Sequence, residues 1–184
     1  MKKNIVKDPD PVLHQHALEV PVEEISSKKI QRILHEMRET LSSTQEGIGI
    51  AALQIGYRLR IFLASEEALR WEKAAAMPQE ERKKKQWTYY TFINPVIKNA
   101  SKKKMSDVEG CLSVPQKYGI VERAEKISVE AYDEYGIKFQ RGASGLYARV
   151  MQHEIDHLNG ILFIEKARNI KNMNYGQKRK THDS

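Results

Sequence analysis

The segment QHEIDHLNG places the strongest constraint on the fold, because His153 and His157 stand four residues apart with Glu154 directly after the first. Side chains at positions i and i+4 of an α-helix lie one above the other on the same face. Leu146 and Val150 continue that face toward the N-terminus at helical spacing. The sequence therefore predicts a helix over 144–158 that presents two imidazoles to one point.

The pattern His-Glu-x-x-His is typical of metal-dependent hydrolases, above all zinc peptidases. In such sites the metal lowers the pKa of a water molecule, and a carboxylate that is not itself a ligand moves the proton. Glu154 would have that role here. The alternative is a chance match on an exposed helix, since histidine and glutamate are both common at protein surfaces. The pattern alone leaves both interpretations open.

A catalytic metal site needs a third protein ligand and one open position. The extended zinc-peptidase motif would place a third histidine where this chain has Phe163, and other downstream candidates are poorly placed. Upstream, the only cysteine, Cys111, stands in the polar, turn-like stretch EGCLSVP, which argues against simple core packing. The most economical metal site is Cys111 with His153 and His157, holding iron or zinc.

A third stretch, GIGIAALQIG at 47–56, suits close contact with a substrate backbone. Gly47 and Gly49 permit such an approach, and no Gly-Lys-Ser/Thr sequence follows that would indicate a phosphate-binding loop. An extended peptide lying against this segment is the favoured interpretation. Gln54 supplies an uncharged donor that could polarise a carbonyl oxygen.

The remaining pattern predicts an α+β fold. Apolar residues at helical spacing follow Ser26, with Ser26 or Ser27 as N-cap, and RIFLA reads as a buried strand. A second strand, WTYYTFINPVI, is expected to end at Asn94-Pro95, KISVEAY and GIKFQ to form a hairpin, and ILFIE to form a short strand. Strands and helices are segregated along the chain rather than alternating, which favours α+β over a doubly wound sheet.

Length and composition indicate one domain. The 184 residues include a charged stretch at 65–87 that reads as a surface insertion, and a basic tail at 166–184. No run approaches the roughly 18 apolar residues of a membrane span. The start lacks the apolar core of a secretory signal, and a single cysteine suits a reducing compartment. We therefore expect a cytoplasmic protein, or the mature form of an organellar one.

The net charge of +7 raises the question of a nucleic-acid partner. The basic residues concentrate at 83–85, 102–104 and in the tail, all without helical or strand periodicity, and no interleaved aromatic residues typical of RNA recognition accompany them. Solvated loops are the favoured interpretation, with contact to an RNA-rich partner as the alternative. No sequence-specific nucleic-acid binding is predicted.

Together, three stretches resemble the motifs of the peptide deformylase family, in the same order: GIGIAALQ at 47–54, EGCLS at 109–113 and HEIDH at 153–157. The resemblance extends over roughly residues 5–165, and the expected catalytic domain is 1–165. It implies a compact α+β domain with antiparallel strands around the helix that carries HEIDH. It also implies hydrolytic removal of the formyl group from the N-terminal formyl-methionine of newly made proteins.

The resemblance assigns a role to each site residue. Cys111, His153 and His157 would bind the metal, most often Fe²⁺, with Zn²⁺ or Ni²⁺ as replacements. Glu154 would be the general base and then the general acid. The remaining assignments are an oxyanion site from Gln54 and the backbone N–H of Leu112, a backbone contact from Gly49, and a methionine pocket from Ile48, Leu146 and Val150. For the pocket residues, ordinary core packing is an equal alternative.

The resemblance also suggests that Asp156 and Arg123 pair behind the ligands, with plain surface charge as the favoured alternative. The predicted partners are formyl-methionyl nascent peptides. A weak contact with ribosomal RNA is a further hypothesis, through Lys171, Lys178, Arg179 and Lys180. Two rival functions remain: a zinc endopeptidase with the same helix, and a non-catalytic RNA- or ribosome-binding protein with a structural metal.

Overall fold

Two antiparallel β-sheets form the framework in the computed structural model, which describes residues 2–44 and 47–172. The larger sheet has the strand order β1-β2-β3-β6-β7 and the smaller sheet β4-β5-β8. The strands are β1 (Gly49–Ala51), β2 (Ile61–Ser65), β3 (Tyr89–Ala100), β4 (Lys104–Cys111), β5 (Val114–Ala124), β6 (Lys126–Tyr132), β7 (Lys138–Ser144) and β8 (Arg168–Asn172). Within the described residues, β1 and β4 each have one neighbour, so each leaves an edge unpaired.

Two long helices pack on this framework, α1 (Lys28–Ser42) and α5 (Gly145–Leu158). Helix α1 begins after Ser27, whose hydroxyl accepts a hydrogen bond from the Ile30 N–H at 3.3 Å, as the sequence predicts. The segment 65–87 contains three short helices, α2 (Glu66–Leu69), α3 (Trp71–Ala75) and α4 (Gln79–Lys84). No helix of the described residues is long and apolar enough to cross a membrane.

Helix α5 lies between the two sheets, in contact with β1, β2, β6 and β7 of the larger one and β5 of the smaller. Its buried residues Tyr147, Met151 and Leu158 join a core around Phe62 and Phe92, whose rings stack at 4.5 Å. Each large apolar side chain buried in this way contributes about 1.5–3 kcal/mol. The predicted α+β class, with antiparallel strands around the HEIDH helix, is confirmed.

One predicted strand boundary and one predicted strand are wrong. Strand β3 continues through Pro95. Proline has no N–H to donate to a neighbouring strand, and the bulge between Ile93 and Val96 places Pro95 where no such hydrogen bond is needed. Asn94 has φ 51° there, and its side chain bonds to the backbone of Val20. The segment ILFIE is not a strand, since Phe163–Glu165 forms a 3-10 turn closed by a 2.7 Å hydrogen bond from the Leu162 N–H to the Glu165 carboxylate.

The expectation that the basic segments lack regular structure is also wrong in part. Residues 83–85 lie at the end of α4, and residues 102–104 lead into β4. In the tail, residues 168–172 form β8, which pairs with β5. Strands β4 and β5, which hold the Cys111 stretch, have no simple apolar alternation and were not predicted. Among the residues of the ribosome hypothesis, Lys171 lies in β8, and Lys178, Arg179 and Lys180 lie outside the described residues.

Candidate metal centre

Cys111, at the end of β4, meets His153 and His157 of α5. One ligand atom from each of the three residues lies within 4.8 Å of the others, and the Cys111 Sγ is 3.1 Å from the His157 Nε2. Donor atoms bound tetrahedrally at 2.0–2.3 Å stand about 3.3–3.8 Å apart, so this set closes around one ion with a small adjustment. A thiolate with two imidazoles suits a borderline-soft ion such as iron or zinc. The residues present therefore fit a single metal ion.

Glu109 fixes the orientation of one ligand. Its carboxylate lies 3.0 Å from the His153 Nδ1 and accepts two hydrogen bonds from Arg123, at 2.9 and 2.8 Å. Burial opposes ionisation of Glu109, but the hydrogen bonds from Arg123 and His153 outweigh it and hold the pKa well below its usual range. Because an ionised carboxylate only accepts hydrogen bonds, Nδ1 must donate, which leaves the Nε2 lone pair for a metal.

Protonation of the two histidines differs. Burial lowers the pKa of His157 well below its usual value, and the neighbouring His153 adds to the effect, so His157 is a neutral imidazole with a free lone pair. Burial also opposes protonation of His153, but Cys111 and Glu109 outweigh it and raise the pKa of His153 well above its usual value. The raised pKa means that the surroundings of His153 favour positive charge at its Nε2. The same surroundings favour a metal cation at that nitrogen in place of the proton.

Glu154 faces the centre from the same helix without belonging to the ligand set. It is 4% exposed, and its Oε2 has no hydrogen-bond partner among the described residues. Burial raises the pKa of Glu154 to about 7, while the neighbouring His153 acts in the opposite direction. A cation bound beside the carboxylate would lower the pKa further. An unpartnered, buried carboxylate of this kind suits proton transfer.

Gln54 approaches the centre from the 3-10 turn Ala52–Ile55, which directly follows β1. Its Oε1 accepts a 2.8 Å hydrogen bond from the Ala51 N–H, which fixes the amide and turns its nitrogen toward the cysteine ligand. The Nε2 lies 3.5 Å from the Cys111 Sγ and 3.2 Å from the Ser113 Oγ. The side chain can therefore donate to an oxygen that develops beside the metal.

A cleft of about 520 Å³ opens over these groups and brings together most of the predicted site residues. The unpaired edges of β1 and β4 border it. Of the predicted site residues, only His157 does not line the cleft; it lies beneath the cleft surface and is 1% exposed. The predicted residues that line the cleft are Ile48, Gly49, Gln54, Cys111, Leu112, Leu146, Val150, His153 and Glu154.

Behind the ligands lies a buried ionic network that the sequence only partly indicates. Arg123 and Asp156 are 5% and 8% exposed and form an ion pair at 2.5 Å, so the surface-charge interpretation is wrong. Arg149 was not predicted to take part. It donates to the Glu109 carboxylate at 2.7 Å and to the carbonyl oxygens of Val121 at 2.9 Å and Met105 at 2.7 Å.

Neither Glu109 nor Arg149 was predicted as a site residue, although the spacing of each from a metal ligand could have indicated it. Glu109 precedes Cys111 by two positions, the repeat that places strand residues on one face. Arg149 precedes His153 by four positions, on the ligand face of the helix. Arg149 thereby ties the helix that carries two ligands to the strands that carry the third.

Replacement of Arg149 by methionine is expected to lower the free energy of unfolding by about 3–5 kcal/mol, because it removes one donor from the buried Glu109 carboxylate, which keeps Arg123, and takes the guanidinium donor away from the Val121 and Met105 carbonyls. The matched control is Arg70→Met, whose side chain is 55% exposed in an i,i+4 pair with Glu66 and should cost about 0.5 kcal/mol. Urea unfolding with excess chelator measures both. Equal losses in the two variants would contradict a structural role for the network.

Two imidazoles and a thiolate around one point, beside a buried carboxylate at the floor of a cleft, form the arrangement of a metal-dependent hydrolase. The chain matches the polypeptide deformylase family model over residues 2–173. It is 38% identical to a peptide deformylase of Rhizobium meliloti over 169 residues, which cover 92% of this chain and 87% of that protein. The chain belongs to the polypeptide deformylase family.

Other relatives agree with this assignment. Peptide deformylase 1A, chloroplastic/mitochondrial, of Arabidopsis thaliana is 39% identical over 88% of this chain, and the match spans 60% of the plant protein. The chain thus spans about three fifths of the length of the plant relatives it matches. A Met-Ala-Ser-bound crystal structure of the class I type b enzyme from Acinetobacter baumannii superposes with a TM-score of 0.76 at 30% identity, covering 90% of this chain and 98% of the other.

Proposed function

We propose that this chain is a metal-dependent amide hydrolase that removes the formyl group from the N-terminal formyl-methionine of newly made proteins. The observation that carries the proposal is the meeting of Cys111, His153 and His157 at the floor of the cleft with Glu154, whose Oε2 has no partner in the part of the chain that the structure describes. Relatives named peptide deformylase, matched over most of this chain, support it. The expected products are formate and a free N-terminal amine.

Cys111, His153 and His157 would hold one divalent ion, Fe²⁺ in our proposal, with Zn²⁺ or Ni²⁺ as replacements. When bound, the ion acts as a Lewis acid toward water and the formyl oxygen. Glu109 keeps the His153 proton on Nδ1. Arg123 and Arg149 keep Glu109 ionised and in place.

The substrate would lie extended between the unpaired edges of β1 and β4, as peptides add to exposed strands. Gly49 lends its backbone because it has no side chain to block the approach. Ile48, Leu146 and Val150, which line the cleft, supply an apolar pocket for the methionine. In the Acinetobacter baumannii structure the bound peptide is Met-Ala-Ser.

The side chains then divide the proton transfers and charge stabilisation among them. Glu154 accepts a proton from the attacking water and delivers it to the nitrogen of the methionine as the formyl C–N bond breaks. The Gln54 amide and the Leu112 backbone N–H donate to the oxygen that becomes negative on the formyl carbon. Lys7, whose ammonium group donates to the Leu112 carbonyl, holds that loop against the cleft.

Replacement of Gly49 by alanine is expected to lower formate release about 100-fold or more. A Cβ there would overlap the Glu154 carboxylate and lie 2.9 Å from the Val150 Cγ1, so the proton-transfer group must move. Gly142→Ala is the control, since a Cβ at that strand position meets no atom of the described residues within 4 Å. Similar activity of both variants in a formate assay would contradict the predicted close approach.

The proposed function is tested by anaerobic purification, metal analysis and a formate-release assay on formyl-Met-Ala-Ser. About one equivalent of metal and rapid formate release are expected, with little activity on acetyl-Met-Ala-Ser, whose extra methyl group crowds the same centre. Cleavage of internal bonds in a blocked peptide would instead support the endopeptidase rival. A metal-loaded protein that releases no formate would support the binding-protein rival.

The proposed catalytic domain is 1–165, with a surface insertion at 65–87 and a basic tail at 166–184, acting in the cytoplasm or as a mature organellar protein. The 3.4 Å ion pair between Arg82 and Glu67 holds the insertion together. The tail would contact ribosomal RNA through its positive charge. Ribosome co-sedimentation that is unchanged after deletion of 173–184 would contradict this contact.

A further inference from the structure

An apolar hollow of about 340 Å³ lies on the smaller sheet, outside the catalytic centre. Val108 and Ile170 line it and are 56% and 45% exposed. Tyr118 and Ile120 of β5 complete the apolar lining, with Lys171 at the rim. Single exposed apolar side chains are ordinary, but four that line one concave surface indicate a binding site.

The hollow is continuous with the catalytic cleft, because Val108 lines both. Strand β4 runs from Val108 to Cys111, three residues or about 10 Å at the rise of a strand. Gly110 stands between them, opposite Tyr118 in the register, and has no side chain to separate cleft and hollow. A chain that leaves the centre along β4 can therefore pass from the cleft into the hollow at Val108, the residue that lines both.

We propose that this hollow binds an apolar side chain at the fourth or fifth residue of the formylated substrate, an inference that rests on the proposed function. Val108 lies about 10 Å along β4 from Cys111. The other apolar lining residues lie one strand (β5) or two strands (β8) away from β4, which is about 5–10 Å across the sheet. The direct distance is then about 11–14 Å. An extended peptide advances about 3.3 Å per residue, so its fourth or fifth residue reaches that distance.

Charge favours this occupant over a second copy of the chain. Lys171 lines the rim and Lys117 borders the adjoining cleft, so a symmetric pairing of two hollows would bring these lysines together on a chain of net charge +7. A nascent peptide carries no such fixed charge. The same lysines would disfavour a basic side chain at the bound position of the substrate.

The test compares formyl-Met-Ala-Ser-X-X peptides with leucine, serine or lysine at both X positions. The metal-loaded protein is expected to prefer leucine over serine about 5-fold in kcat/KM and to rank lysine last. Ile170→Ser should remove the leucine preference. Ile137→Ser is the matched control, because Ile137 is 62% exposed in the turn between β6 and β7 and lines neither cavity. The tripeptide formyl-Met-Ala-Ser is too short to reach the hollow and should be cleaved equally by all three proteins.

A leucine preference that persists in Ile170→Ser, or is absent from the unaltered protein, would overturn the proposal. Dimerisation in sedimentation that Ile170→Ser abolishes would assign the hollow to a second copy. A preference that emerges only after deletion of 173–184 would assign it to the chain's own tail, and both results would overturn the proposal. Absence of formate release from the tripeptide itself would overturn the proposed function as well, so the two failures are distinguishable.

Discussion

Replacement of Glu154 by glutamine is expected to lower kcat for formate release about 10³-fold while metal content and KM stay nearly unchanged. The amide keeps the shape of the side chain but can neither accept the proton of the attacking water nor return it to the leaving amine. Glu109 also lines the cleft, but its carboxylate is held by Arg123, Arg149 and His153 and is not free to replace Glu154.

Glu122→Gln is the matched control, since Glu122 is 48% exposed on β5 and pairs with Lys104 away from the cleft. Stopped-flow or coupled formate assays, together with metal analysis of each variant, measure the effect. Full hydrolysis by the Glu154 variant would rule out the proposed proton transfer. Loss of metal from that variant would show that the carboxylate contributes to binding the ion.

Replacement of Cys111 by alanine is expected to remove the metal, to less than about 0.1 equivalent per chain, and to bring formate release to background. Two imidazoles from one helix remain, and they leave the ion without the thiolate that completes its protein ligands. Ser106→Ala, on the exposed side of the same strand, is the control and should keep both metal and activity.

Metal analysis by mass spectrometry and far-ultraviolet circular dichroism on the same preparations distinguish metal loss from unfolding. The helix signal should persist in the Cys111 variant, because α5 is held by its apolar core rather than by the ion. Retention of metal and activity would mean that another residue supplies the third ligand, as the endopeptidase rival requires.

The catalytic helix could be predicted from the sequence because its information is local. Leu146, Val150, His153 and His157 share a face by spacing alone, and Ser144 precedes the helix as its N-cap residue. The hairpin of β6 and β7 is equally local, with its turn at Asp133 and Gly136. In each case the pattern and the structural element lie in the same short segment.

Other features depend on contacts between distant segments, and the sequence pattern does not specify them. Strand β4 exposes most of its residues, so it has no apolar alternation to reveal it, and it is held by its pairing with β5. Glu109 and Arg149 are charged residues whose burial is intelligible only once they meet across 40 positions of the chain. The methionine pocket likewise stays a prediction, because its residues Ile48, Leu146 and Val150 come from two distant segments that meet only in the folded cleft.

The bond between Arg149 and Glu109 has a consequence for how the metal is acquired. Only two elements, α5 and β4, carry the three ligands, and this buried bond holds those elements together without any contribution from the ion. Little chain ordering is then left for the metal to induce, in contrast to small zinc domains that fold only when loaded. Exchange of the proposed iron for zinc or nickel is therefore expected to change the rate of hydrolysis while the fold stays the same, which would make metal supply a means of setting the activity.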